Sequence, residues 1–376
     1  MKIGILTFHR AHNYGAVLQA YALRTYLRQR GLEAHLIDYW PEYRKGQYDL
    51  LDRSFLSSNA SLSAKLKRLL RQLAYLPFKY QRHRKFSWFI RNDLGVNGNS
   101  MIERGEDIPD QYDVVITGSD QVWRHISSAR FDGFDAVYWG RYPVGARGKK
   151  ITYAASMGVL NYAGHESFIR QQLAEFDAVS VRESELKEVV DQLSERPVKQ
   201  VIDPVFLLNE DDWDELIELD EKGKGKYLIF YHLIRSEKVA RFVERLAQKH
   251  GLKVIELKGG DSPFANPFRT RRAIGPIDYL KLFRGASYVV STSFHGVAFS
   301  IIFQKQFYAL GMQNNSGRVT SLLESLGLGE RYLDDRQVES YDFNAKGPSI
   351  DYASVGSLLS ETIDESKRYL ADALSC

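Results

Sequence analysis

Cysteine is almost absent from this chain: its one thiol, Cys376, is the last of 376 residues. That excludes an internal disulfide framework and any cysteine-rich metal site, and it fits a reducing compartment. Proline is also scarce, at 10 residues, and with 44% hydrophobic and 26% charged residues the composition is that of a globular protein with little disorder. Long apolar runs are missing. The most apolar stretch, residues 288–303, is broken by Ser291, Thr292, Ser293 and His295, whereas a membrane span needs about 20 mostly apolar residues. No charged-then-apolar leader precedes residues 2–6, which already read as a buried strand, so no export signal and a cytoplasmic location are expected. There is no G-x-G-x-x-G fingerprint, so Asp38, at the end of the second strand, is weak ground for a nicotinamide cofactor. Histidine pairs at ligand spacing are missing and the acidic residues of the motifs are isolated, so no metal is demanded.

Net charge is small, +4, but unevenly spread. Between Arg44 and Arg91 stand twelve Lys and Arg against Asp49 and Asp52, which leaves the rest of the chain net acidic. Within that basic segment Ser61 can cap a helix carrying Leu62, Leu66, Leu69, Leu70, Leu73 and Leu76 on one side, with Lys65, Lys67, Arg68 and Arg71 elsewhere. Three readings stay open for this insertion: a solvated helix packed by its leucines, a peripheral patch meeting anionic lipid headgroups at the inner face of the membrane, or a nucleic-acid surface. Of these, nucleic acid is not expected as a partner.

The length fits two domains of roughly 150–200 residues each. The first opens as strand (2–8), loop (9–14), helix (15–30), stop at Gly31 and strand (34–37), a βαβ unit whose helix is apolar around most of its circumference and so must be covered. Strand patterns resume at 113–117, 151–155, 178–181 and 198–202, with helical stretches at 164–175 and 183–193. After Asp203-Pro204 the acidic and Gly/Lys-rich residues 210–226 suggest a hinge, and a second series begins: strands 227–232, 252–257, 288–291 and 306–310, helices 236–250, 277–284 and 296–303. The expectation is an α/β protein of two Rossmann-like, doubly wound domains facing across a cleft, residues 1–209 and 210–376, with a helical basic insertion at about 44–105 in the first and a C-terminal helix in the second. This is the GT-B arrangement, and ligands in such sheets bind beyond the carboxyl ends of the strands.

The strand-end loops therefore hold the candidates. After the first strand, Asn13, Tyr14 and Gly15 stand where a helix N-terminus offers unpaired N–H groups, although Asn13 can equally be a plain cap, with His9 and His12 as surface histidines. In Gly118-Ser119-Asp120-Gln121-Val122-Trp123 the polar side chains can grip sugar hydroxyls, or the segment is a capped turn with Trp123 in the core. Arg182, between strand and helix, suits a carboxylate or phosphate, or pairs locally with Glu183. In Ser291-Thr292-Ser293-Phe294-His295-Gly296, His295 can exchange a proton near neutral pH, while the hydroxyls of Thr292 and Ser293 and the helix amides from Gly296 onward can hold an anion; a merely capping histidine is the alternative. Arg318, in a polar loop before a helix, offers another anion contact or an ordinary helix start.

Six segments in order, Asn13-Tyr14-Gly15-Ala16-Val17-Leu18-Gln19, Gly118-Ser119-Asp120-Gln121-Val122-Trp123, Tyr153-Ala154-Ala155-Ser156-Met157-Gly158, Val181-Arg182-Glu183, Asp203-Pro204-Val205-Phe206-Leu207-Leu208 and Ser293-Phe294-His295-Gly296, resemble the polysaccharide pyruvyl transferase family. The resemblance covers roughly residues 3–330, leaving out the basic insertion and the C-terminal tail. It implies a GT-B-like fold, phosphoenolpyruvate as co-substrate with no separate cofactor, and a sugar diol on a polysaccharide or lipid-linked oligosaccharide that becomes a pyruvate ketal. It further implies His295 as the catalytic acid–base, and Arg182, Thr292, Ser293, His295, Gly296 and Arg318 on the donor side in the second domain. Asn13, Tyr14, Ser119, Asp120 and Gln121 fall on the acceptor side in the first. Some members of the family carry arginine where this chain has Ser293, with Arg318 the substitute here. The alternative is a glycosyltransferase or epimerase of the same architecture acting on a nucleotide sugar, since a helix N-terminus holds a diphosphate equally well.

Overall fold

The computed structural model describes residues 1–51, 61–98, 101–218, 225–233, 236–258, 268–311, 317–344 and 349–375. The first domain runs β1 (Lys2–Leu6), α1 (Tyr14–Gln29), β2 (Glu33–Leu36), α2 (Leu62–Asn92), β3 (Val114–Thr117), the short hairpin β4 (Ile126–Ser127) and β5 (Asp132–Gly133), β6 (Lys149–Thr152), α3 (Glu166–Leu173), β7 (Val179–Val181), α4 (Ser184–Leu193) and β8 (Val198–Gln200). The order β2-β1-β3-β6 is parallel throughout, and single bridges from Ile151 to Ala178 and from Ala155 to Val181 continue it to the parallel pair β7-β8. The buried residues of β1 and β3 run consecutively rather than alternating, as a sheet covered on both faces requires.

The second domain follows α5 (Glu210–Leu216) with β9 (Tyr227–His232), α6 (Glu237–Lys249), β10 (Lys253–Lys258), β11 (Arg269–Arg271), α7 (Pro276–Gly285), β12 (Tyr288–Ser291), α8 (Phe294–Ile302), β13 (Gln306–Leu310), α9 (Gly317–Ser325), β14 (Tyr332–Leu333), α10 (Asp335–Glu339) and α11 (Tyr352–Ser375). Its parallel sheet has the order β11-β10-β9-β12-β13-β14, the arrangement in which strands wind outward in both directions from a central switch point. The fold is thus α/β with two parallel sheets, as the alternation of strand and helix patterns implied.

One apolar core runs through both domains, with α1 and β1 on one side and α7 and α8 on the other. Tyr14 stacks on Tyr279 at 4.6 Å between ring centroids, and Trp213 lies edge-on to Phe299 at 5.1 Å. This corrects the hinge expected over residues 210–226. Residues 210–216 form α5, closed by a reciprocal capping box between Asn209 and Asp212 and pinned by the fully buried Trp213; residues 219–224 lie outside the described residues. The C-terminal helix also returns to the first domain. Ser366 Oγ accepts from Ile202 N at 2.9 Å, and Tyr369 Oη donates to Thr152 O at 2.8 Å.

The basic insertion is one 31-residue helix, α2, capped by Ser61 Oγ on Ala64 N. Its leucines do not pack it. Leu62, Leu66, Leu69, Leu70 and Leu73 are exposed, and burial is confined to Phe86, Phe89 and Ile90 near its C-terminal end. Among the described residues, no helix is long and apolar enough to cross a membrane.

Candidate functional site

The carboxyl ends of the two sheets meet through His295. The imidazole lies against Gly15 at the start of α1, so closely that a Cβ on Gly15 would overlap the ring at Nδ1. Gly15 is therefore required for contact across the cleft, not for backbone conformation. Helix α8 begins earlier than its sequence suggests: Ser293 is the extended N-cap residue, and His295 lies in the first helical turn rather than in the strand-end loop. Gly296 lets α8 approach β12, because a Cβ there would strike Ser291 Oγ.

His295 Nε2 faces Asp203 Oδ2 at 3.6 Å, an ion-pair distance too long for a hydrogen bond. Asp203 is the hub. Its Oδ2 also accepts from Arg182 Nη1 and, at 3.2 Å, from Ser119 Oγ, while its Oδ1 accepts from Val205 N at 3.1 Å. Burial alone would raise its pKa, but the charges of His295 and Arg182 and these hydrogen bonds hold the carboxyl well below the ordinary Asp range. A buried Asp thus lies against both Arg182 and His295. In the sequence Asp203 is marked only as an acid after a strand and before a proline, which starts a short helical turn that Asp203 caps.

Arg182 is buried and pairs with two carboxylates. Besides Asp203, its Nε donates to Glu183 Oε1 at 3.1 Å, and Glu183 is itself held by Ser156 Oγ at 2.7 Å. The local Arg–Glu pair weighed from sequence is real, but it lies inside the site rather than on the surface. The guanidinium also sits 4.4 Å from the ring of Phe294, and its Nη2 has no hydrogen-bond partner among the described residues. Burial works against its charge, and Glu183, Asp203 and Asp120 restore it. One face of Arg182 is committed to the protein, leaving Nη2 for an incoming anion.

Arg318 joins this group. Helix α9 docks on the first domain through Ser321 Oγ, which accepts from Ser184 N at 3.3 Å and Gln200 Nε2 at 3.2 Å. With the Gln121 amide oxygen turned toward it, Arg318 donates to Gln121 from Nη1 at 2.9 Å and Nη2 at 2.8 Å. Burial and the charge of Arg182 lower its pKa, against the carboxylates of Glu183, Asp120 and Asp203. The structure thus brings together His295, Arg182, Arg318, Ser119, Asp120 and Gln121. Asp120 is held in a left-handed backbone conformation (φ 61°) and its side chain accepts from Gln121 N at 2.8 Å.

Four expected contacts have other occupations. Asn13 Oδ1 caps α1 through Ala16 N at 3.3 Å, and Tyr14 is buried between the domains with its hydroxyl directed at Ile274 O. Thr292 Oγ1 accepts from Leu233 N at 3.0 Å, and Gly296 serves helix–strand contact. Ser293 borders the site as the N-cap residue of α8, without a side-chain capping bond. His9, a surface histidine only in the plain-cap alternative, is buried and hydrogen-bonded to Thr7 O and Asp38, whose pKa, despite burial, is pulled to about 2 by Arg10 and His9. Trp123 is in the core, stacked on Trp139 at 4.3 Å.

Comparison with known proteins places the chain at the level of family. Solved structures similar to the chain include UDP-N-acetylglucosamine 2-epimerase from Rickettsia bellii (13% identity, 98% of this chain and 96% of that one, TM-score 0.45) and UGT89C1 of Arabidopsis thaliana complexed with UDP-L-rhamnose (10%, 100% and 98%, 0.48). No individually curated protein matches the sequence. The profile described as polysaccharide pyruvyl transferase matches residues 13–314. With most of both domains inside that match, this chain belongs to the polysaccharide pyruvyl transferase family.

Proposed function

We propose that the chain transfers the pyruvyl group of phosphoenolpyruvate onto two hydroxyls of one sugar, releasing phosphate. The observation that carries this reading is the buried Arg182–Asp203–His295 cluster at the junction of the domains. In the proposed reaction one sugar hydroxyl adds to C2 of phosphoenolpyruvate while C3 takes up a proton. A second hydroxyl then displaces phosphate from C2, its proton passing to the departing group, and the ketal closes. His295 exchanges the protons, Asp203 lies beside its Nε2, and Arg182 and Arg318 hold the anionic groups of the donor. Asp120, Gln121 and Ser119 line the side from which the sugar approaches. The test is phosphoenolpyruvate-dependent phosphate release across galactosyl, mannosyl and N-acetylhexosaminyl acceptors; release that needs an acceptor supports the reading, and phosphoenolpyruvate that neither binds nor turns over sinks it.

Gly15→Ala probes the contact between domains. Alanine favours a helix by about 1 kcal/mol over glycine, so the α1 backbone gains while the His295 ring must move. Displacing a catalytic group by about 1 Å costs on the order of 10²-fold in rate. The expected result is a rate loss of that order with a urea midpoint shifted only slightly; an unchanged rate would mean that His295 does not work from this position.

The acceptor is proposed to be lipid-linked, with the enzyme in the cytoplasm resting on the inner face of the membrane through α2. Exposed Leu62, Leu66, Leu69, Leu70 and Leu73 alternate with Lys65, Lys67, Arg68 and Arg71, the pattern of a helix that lies in an anionic interface. Leu66→Ser with Leu70→Ser is expected to leave stability within about 0.5 kcal/mol, as exposed positions do, and to abolish co-sedimentation with phosphatidylglycerol vesicles. Equal sedimentation of wild type and variant, or equal binding to phosphatidylcholine vesicles, contradicts the membrane reading.

A further inference from the structure

A second cavity, of about 370 Å³, opens between the loop after β1, the segment after β2 and the C-terminal half of α2. Its walls carry Arg10, Arg44 and Arg91 with His12 and His83, and among the described residues lining it Asp49 supplies the one carboxylate. Arg10 is neutralised from behind by Asp38. Arg44 is not. It is 5% exposed, its guanidinium lies 3.8 Å from the Phe8 ring centroid, and its Nε reaches only Tyr43 Oη at 3.4 Å. Its Nη2 has no hydrogen-bond partner among the described residues. A buried guanidinium with an unanswered N–H pair is costly unless an anion completes it. His12 is held neutral there: burial first, then the nearby His83 and Arg82, push its pKa down to about 3.

We infer that this cavity binds a phosphate-bearing group of the acceptor, a phosphomonoester or diphosphate attached to the sugar, and so deepens the proposed function on which it rests. Position argues for acceptor over donor. His12 on its wall is three residues from Gly15, which touches His295, so the two Cα atoms lie within about 11 Å of each other. Tyr48, also on its wall, stacks on His12 at 4.7 Å and lies within electrostatic reach of Asp120. The donor's anion contacts, Arg182 and Arg318, face Asp203 and Gln121 instead. His83 and Arg91 belong to α2, the helix whose other end carries the exposed leucines, so one element offers cations to a phosphate and an apolar face to a lipid.

The test is calorimetric titration of the full chain with inorganic pyrophosphate, repeated for Arg44→Gln and for Arg91→Gln, whose exposed side chain can be changed without disturbing the core. The expected result is one site, weakened at least about tenfold by Arg44→Gln and about threefold by Arg91→Gln, and not displaced by excess phosphoenolpyruvate. With a sugar 1-phosphate as acceptor, Arg44→Gln should raise KM for that acceptor and leave KM for phosphoenolpyruvate unchanged. Equal pyrophosphate binding by wild type and both variants overturns the inference, and so does displacement by phosphoenolpyruvate, which would make the cavity part of the donor site. Binding is read without turnover, so failure of pyruvyl transfer itself is separable: pyrophosphate held through Arg44 by an enzyme inert to phosphoenolpyruvate upholds this site and removes the proposed reaction.

Discussion

His295→Ala is expected to lower phosphoenolpyruvate-dependent phosphate release by about 10²–10⁴-fold, the contribution of a positioned acid–base group, with the fold retained. The structure explains why the two effects separate. His295 Nε2 makes no hydrogen bond among the described residues, so truncation strands no partner. Asp203 keeps Arg182, Ser119 and Val205 N and stays compensated. What is lost is the imidazole between Asp203 and Gly15. Steady-state rates alongside urea unfolding make the comparison; a rate within tenfold of wild type would remove His295 from the chemistry, whatever the acceptor. His295→Gln keeps the bulk against Gly15 and should be as inactive as the alanine variant, which separates proton exchange from packing.

Much of the architecture was legible because buried parallel strands are continuous apolar runs ended by loops. Residues 227–232, 288–291 and 306–310 were delimited from sequence at the bounds the structure gives. The Ser61 cap was equally local and equally readable. Properties set by distant neighbours were not. The leucines of α2 look like a packing face, yet nothing in the periodicity says that the second domain meets α2 through other side chains, with Arg272 over Tyr75 and Phe78 and Lys85 on Asp278. Acidic α5 reads as linker because its anchors are distant in sequence: Trp213 packs against Tyr21 of α1 and Phe299 of α8, and Glu210 and Asp214 pair with Arg284. At the site, Arg182, His295 and Arg318 were singled out individually by residue type and loop position. That they share the neighbourhood of Asp203 depends on three chain segments from two domains, and spacing along the chain carries no such information. Tyr14 shows the same dependence: its place beside a helix N-terminus does not disclose that Tyr279 of the other domain stacks on it.

Asp203→Asn is expected to have the largest effect on stability, because it removes the one charge that answers both Arg182 and His295 in a place where Asp203 is fully buried. Breaking a buried ion pair from one side costs about 3–5 kcal/mol, since the remaining charge stays desolvated. The deficit should depend on pH in a fixed direction. In the folded chain the Asp203 carboxyl is held below its ordinary value of 3.8, so its contribution is fully present above that value and is lost as pH falls through the folded value. Wild type and variant should therefore differ most near neutrality, and the gap measured by urea unfolding should narrow progressively once pH drops below about 4. A gap that stays constant from pH 7 to pH 3 would mean that the loss comes from geometry alone, with the charge of Asp203 contributing nothing. Activity gives an independent reading. The variant retains His295 and Arg182 but loses the carboxylate beside both, so its rate loss at neutral pH should approach that of His295→Ala, while Ser119→Ala, which removes one of the several hydrogen bonds to Asp203, should cost only about tenfold or less.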